Sequence, residues 1–303
     1  MNTTLLITIN ETWFIPLDIL LITCILIAIG LAIFFLFVII FDKTCHTIPM
    51  LLVANSCLAQ LLFASSLLSM SIFTLKNDFK QIQYQDSFCI FRAYMSYSLC
   101  TIQNCSYLVQ SIYRYAAVVY PKHIFLRTVR TQFLFLSFSW IFAFIYPFEF
   151  LFSNEIIYNV DNQICQVPLR FSFSVIYLAL CSYVIPIALI MFVYFILIRH
   201  VKEMRKNIMP VNILLRLKRE LKMARRIVIL IMILFISDFP YGLFAFISFF
   251  TTPPKYYLRI VFVFVNLSLP LVMICVFQFT DKLKASVMKL LKYRPNVIIP
   301  AIT

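Results

Sequence analysis

The chain alternates long apolar runs with short polar connections. Seven runs stand out, at about 14–41, 49–75, 88–119, 132–152, 171–198, 224–250 and 258–279. Each reaches the roughly 20 residues that an α-helix needs to cross about 30 Å of hydrocarbon. Most carry Leu, Ile and Phe on every side, which suits contact with lipid better than the one-sided stripe of a soluble helix. Backbone amides in lipid must be satisfied within their own segment, so the runs are expected to be helices rather than open sheet. The connections are too short for a soluble domain, and no repeat period stands out. The expected fold class is all-α, a seven-transmembrane helix bundle.

Composition narrows the chemistry. Of 303 residues, 63% are hydrophobic, and the mean hydropathy is +0.95. Only two glycines occur, Gly30 and Gly242, so a glycine-rich phosphate loop or dinucleotide fingerprint has no material to form from. His46, His123 and His200 flank the apolar runs, which argues against a histidine metal site or nucleophile–base pair inside them. No catalytic residue, metal site or cofactor is expected. A transporter would call for several paired intramembrane charges or broken, glycine-containing helices, for which this chain offers little material.

Charge gives the direction of insertion. With seven spans, the N-terminus and the second, fourth and sixth loops share one side. That side carries Lys76, Lys80, Arg92, Arg170, Lys255 and Arg259. The other twenty of the 26 cations fall on the opposite side, many of them between Arg199 and Arg226. The positive-inside bias therefore places the N-terminus outside and the basic side in the cytoplasm of a multi-pass plasma-membrane protein. The same bias accounts for the net charge of +14 without a nucleic-acid partner. The first ten residues lack a basic, cleavable leader pattern, so the first span is expected to serve as its own insertion signal. Asn2 and Asn10 each begin an N-x-[ST] sequon and would be glycosylation sites on an outer tail. Of nine cysteines, only Cys89 and Cys165 fall at the expected outer surface. They read as one disulfide in an oxidising compartment, or else as two free thiols.

The most specific stretch ends the third run: Ser111-Ile112-Tyr113-Arg114-Tyr115-Ala116-Ala117-Val118-Val119-Tyr120-Pro121. It resembles the end of the third helix in rhodopsin-like (class A) G-protein-coupled receptors. Cys89 precedes Arg114 by 25 residues, about 37 Å of helix, so the two mark opposite membrane faces. Asn55 and Leu58-Ala59, Trp140, Pro186 with Tyr194, Glu220 with Pro240, and Pro270 fall in the order and spacing of the family's other landmarks. The basic stretch 281–292 resembles its short cytoplasmic amphipathic eighth helix. The resemblance implies an outer tail over 1–13, the receptor bundle over 14–279, and the eighth helix with a short tail over 280–303. It also implies a heterotrimeric G protein, an extracellular ligand and membrane lipids as partners. The alternative is a receptor-like membrane protein with weak or constitutive coupling.

The departures from the family pattern are specific. Its acid before the arginine is Tyr113 here, its second-span aspartate is Gln60, and its Cys-Trp-x-Pro is Ser237-Asp238-Phe239-Pro240. Its Asn-Pro-x-x-Tyr is Leu269-Pro270-Leu271-Val272-Met273. The resemblance thus leaves a signalling set of Arg114, Tyr115, Tyr194, Glu220, Pro240 and Pro270, with Arg114 and Glu220 expected to pair at rest. Asp238, taken as the one acid deep in a span, is expected to bond to Gln103, Asn104 or Asn266, forming a polar hub with Gln60. Ligand contacts are expected from Arg92, Ser96, Tyr97, Glu149 and Tyr183. Ser96 stands where amine-binding members keep an aspartate, so the resemblance favours a peptide or small polar ligand.

Overall fold

The computed structural model describes residues 14–80, 82, 84–120, 124–169, 172–206 and 211–292. The side chains of 124, 204–227, 231, 291 and 292 lie outside that description. Seven long helices form a ring: α1 (Phe14–Phe41), α2 (Ile48–Lys80), α3 (Cys89–Val119), α4 (Val129–Ile145), α5, α6 (Val211–Ile247) and α7 (Tyr257–Phe279). α5 runs through Phe173–Ala179, a π-helical turn at Leu180–Val184, and Ile185–Lys206. α1 packs on α2 and α7, and α6 on α7, while α3 touches α2, α4, α5 and α6.

That central placement explains α3's composition. Six helices are both long and apolar enough to cross a bilayer, and α3 is not among them. Ser98, Thr101, Gln103, Asn104, Ser106, Gln110 and Ser111 are all buried on it. Neighbouring helices cover it, so it meets protein where the others meet lipid. The outer helices show the complement: Ile27, Phe34, Phe37, Phe138, Phe195 and Phe235 are exposed large apolar side chains. A belt of this kind suits hydrocarbon.

The kink in α5 has a local cause. Pro186 has no N–H, so the carbonyl of Ser182, four residues earlier, loses its usual helical donor. The Asn104 amide of α3 donates to that carbonyl at 2.7 Å. The Ser182 hydroxyl is also held, within hydrogen-bonding distance of Tyr146 Oη (2.7 Å) and of Thr101 Oγ1 (3.2 Å). The proline thus sets α5 against α3 and α4.

At the Cys89 end, strands β1 (Ile157–Asn159) and β2 (Ile164–Gln166) form an antiparallel hairpin with Tyr158 opposite Cys165. Cys165 is disulfide-bonded to Cys89, the first residue of α3. At the Arg114 end, α8 (Asp281–Lys292) turns its Leu283 and Val287 inward and leaves Lys282, Lys284 and Lys289 exposed. Ser286 meets Thr44 and Cys45, in the short connection after α1. Hydrogen bonds from Ser286 and from Thr44 hold the Asp42 carboxyl below the usual carboxylate range, at about 2.

The disulfide closes a segment 76 residues long. Cys165→Ser is expected to lower the thermal midpoint of the purified chain in detergent. The loss is at most about 4–5 kcal/mol on the chain-entropy account. An unchanged midpoint would show that bundle packing alone holds the hairpin.

Candidate functional site

A cavity of about 70 Å³ opens toward the disulfide end between α2, α3, α5, α6 and α7. Ser96, Tyr97, Cys100, Tyr183, Asp238 and Tyr241 supply its polar and aromatic lining. The hairpin forms part of the wall through Gln166. The backbone N–H of Val167, next in sequence, donates to Tyr97 Oη at 3.1 Å. Cys100 Sγ donates to Tyr183 Oη at 3.0 Å, and Asp238 lines the same cavity. Asp238 lies half a turn before Pro240, which interrupts the hydrogen bonding of α6.

The structure brings together three of the five expected ligand contacts, Ser96, Tyr97 and Tyr183. The other two lie elsewhere. The Arg92 guanidinium is held by Asp86 and stacks 4.4 Å from the Phe73 ring centroid, in a groove on the outer side of α2 and α3. Glu149 is exposed on the 3₁₀ turn Phe148–Leu151.

The expected polar hub divides into four. Gln103 donates to Gln60 and to Tyr107 Oη, joining α2 to α3. Asn104 is committed to Ser182. Asn266 faces a second cavity, of about 30 Å³, together with Asp18, Thr74 and Arg259. Asp238 meets Tyr183 instead, because its place on α6 turns it toward α5. A further network ties three helices through the landmark residues. Trp140 Nε1 donates to Asn55 Oδ1 at 3.1 Å, Asn55 Nδ2 donates to Ser106 Oγ at 2.9 Å, and Gln110 Nε2 donates to Ser56 Oγ at 2.6 Å.

Asp238 is not the one acid within a span. Asp18 of α1 is buried near the disulfide end, beside Arg259 of α7 and Asp78 of α2. The Arg259 guanidinium grips Asp78 with two bonds, of 2.6 and 2.9 Å, and lies 3.8 Å from Asp18. It also stacks 4.1 Å from the Phe14 ring centroid. Gln163, at the tip of the hairpin, donates to Asp78 at 2.7 Å, and Asn162 accepts from the Arg259 backbone N–H at 3.2 Å. Arg259 therefore acts as a buried clamp on α1, α2, α7 and the hairpin. The sequence marks it only as a loop cation, because its carboxylate partners lie 181 residues or more away.

At the other end, Arg114 is half-buried near the end of α3, and Tyr115 packs edge-to-face on Tyr120 at 5.9 Å. Tyr113 turns away from Arg114 to pack against the apolar cluster of Leu52, Val109 and Leu136. Tyr194 is buried in the largest apolar cluster with Leu230, Val272, Met273 and Val276. Pro240 and Pro270 lie inside α6 and α7. The Glu220 side chain, and with it the expected pairing with Arg114, falls outside the described residues, as do Asn2 and Asn10.

The family model of the 7 transmembrane receptor (rhodopsin family) matches residues 32–275. The chain belongs to this family. Members of the family are receptors that couple to G proteins, and they are not enzymes. The receptor's fold is similar to that of squid rhodopsin, with a TM-score of 0.79 over 96% of this chain and 91% of that one, at 14% sequence identity. No curated protein matches the receptor's sequence.

Arg259→Ala is expected to cost the receptor about 3–5 kcal/mol, because it leaves two buried carboxylates without their cation. Adding Asp78→Asn should recover part of that loss in a thermal-unfolding double-mutant cycle. Strictly additive losses would disprove the clamp.

Proposed function

We propose that this receptor takes an extracellular ligand, a peptide or a small polar molecule, into the cavity between α3, α5 and α6. It passes the signal to a heterotrimeric G protein by outward movement of the Arg114 end of α6. In this reading the N-terminus lies outside the plasma membrane, residues 14–279 are the receptor bundle, and residues 280–303 are cytoplasmic. One observation carries the reading: the polar cavity and the proline kink share a single helix. Asp238 lines the cavity, Pro240 follows it on α6, and Glu220 lies about 27 Å back along the same helix. A ligand that shifts Asp238 therefore works on the element whose far end closes or opens the basic mouth. Ligand and G protein favour the same open state, so each raises the affinity for the other.

A second reading, strong basal coupling, is favoured by Tyr113. The family's acid beside the arginine helps to hold the resting state, and here that position packs into an apolar cluster. A tyrosine holds no negative charge at neutral pH, so the resting lock rests on Arg114 and Glu220.

A G-protein dissociation panel in cells, run without ligand, tests both readings. Arg114→Ala is expected to remove coupling, and Glu220→Ala to raise the basal signal several-fold. A basal signal that Glu220→Ala leaves untouched would refute the lock. Absence of coupling to every G protein, with and without ligand mixtures, would refute the receptor reading.

A further inference from the structure

The polar lining of the cavity is one-sided in charge. Asp238 is the only charged side chain among the described lining residues, which include no Lys, Arg or His. The Asp238 carboxyl lines the cavity with Tyr183, and its oxygens offer acceptor positions to donors that enter. Tyr97, Tyr183, Tyr241 and Phe262 place aromatic rings around the same space. Aromatic faces attract cations, and most strongly where water is excluded. An unpaired carboxylate inside a bundle is costly, and an entering cation offsets that cost. An anionic ligand would meet the carboxylate with no counter-charge in the wall.

Resting on the reading of this cavity as the ligand site, we propose that it receives a small organic cation, an alkyl- or arylammonium group, seated against Asp238. The carboxylate that amine recognition would otherwise need on α3, at the place of Ser96, is supplied across the cavity from α6. Ser96 leaves the space that the ammonium occupies. The volume of about 70 Å³ fits a compact ammonium head, with the rest of the ligand directed toward the hairpin. Because the counter-ion belongs to α6, binding of the charge and displacement of that helix become one event.

Cys100 allows a test in which the natural ligand is not needed. It lines the cavity together with Asp238, and its sulfur bonds to Tyr183 of the same lining. The full chain, reconstituted in lipid, is treated with a cationic reagent, 2-aminoethyl methanethiosulfonate. A parallel sample receives the anionic 2-sulfonatoethyl methanethiosulfonate. Modification of Cys100 is followed by peptide mass spectrometry, with Cys100→Ser as the blank. The cationic reagent is expected to react faster, and the rate ratio to fall about tenfold in Asp238→Asn, as expected for loss of one nearby charge in a poorly screened site. Asp238→Glu, which keeps the charge, should preserve the ratio and guards against a folding defect in the amide variant. A ratio that Asp238→Asn leaves unchanged would overturn the proposal, as would failure of the cationic reagent to reach Cys100. Loss of G-protein coupling elsewhere in the chain leaves this ratio intact, so the two readings fail separately.

Discussion

The structure depends on keeping a polar helix inside a membrane. α3 is studded with Ser, Thr, Asn and Gln, and lipid offers those groups no partners. They are tolerable because α2, α4, α5 and α6 surround α3 and return its hydrogen bonds. Gln103 answers Gln60, Asn104 answers the Ser182 carbonyl, and Ser106 answers Asn55. The outer helices take the opposite course and spread phenylalanine toward lipid. One helix carries the specific contacts, and the others supply the interface with the membrane.

The prolines follow from the same constraint. Each interrupts backbone bonding where water cannot repair it, so each requires a partner or leaves a deformable point. At Pro186 the gap is closed, since Asn104 and the hydroxyls around Ser182 hold α5 in place. At Pro240 the cavity lies directly alongside, and the neighbouring acid faces it. The contrast is between a gap on α5 that α3 and α4 close and a proline on α6 that borders the cavity.

Much of this was legible in the sequence, and what was hidden has a physical reason. Apolar runs mark segments that face lipid, so six spans announced themselves by composition. α3 was marked with the others as the run 88–119, although protein rather than lipid covers much of it, and Cys89 and Arg114 named its two ends. The cysteine pairing was readable because few thiols fall at one surface. Asn55 and Trp140 were flagged as landmarks, and they meet at 3.1 Å. The Arg259 clamp was not readable. Asp18 lies in an apolar run, Asp78 just past one, and Arg259 among expected loop charges. Nothing local says that the three converge, since packing of distant segments brings them together. The hub around Asp238 failed for a related reason. Helical phase was not readable, and phase decides whether α6 turns its acid toward α3 or toward Tyr183 on α5.

The departures from the family pattern share a direction. Asp238 replaces an aromatic residue, Gln60 replaces an aspartate, and Tyr113 replaces an acid. Against that pattern, an acid is absent from the core of α2 and from beside Arg114 on α3, while a carboxyl stands in α6. Gln60 now accepts from Gln103 as a neutral partner where the family pattern has an acid. Tyr113 adds packing to Leu52 and Val109 where a charge would have restrained Arg114. The one charge among the described residues that line the cavity therefore sits on α6, and the lining that α2 and α3 contribute carries none to oppose it.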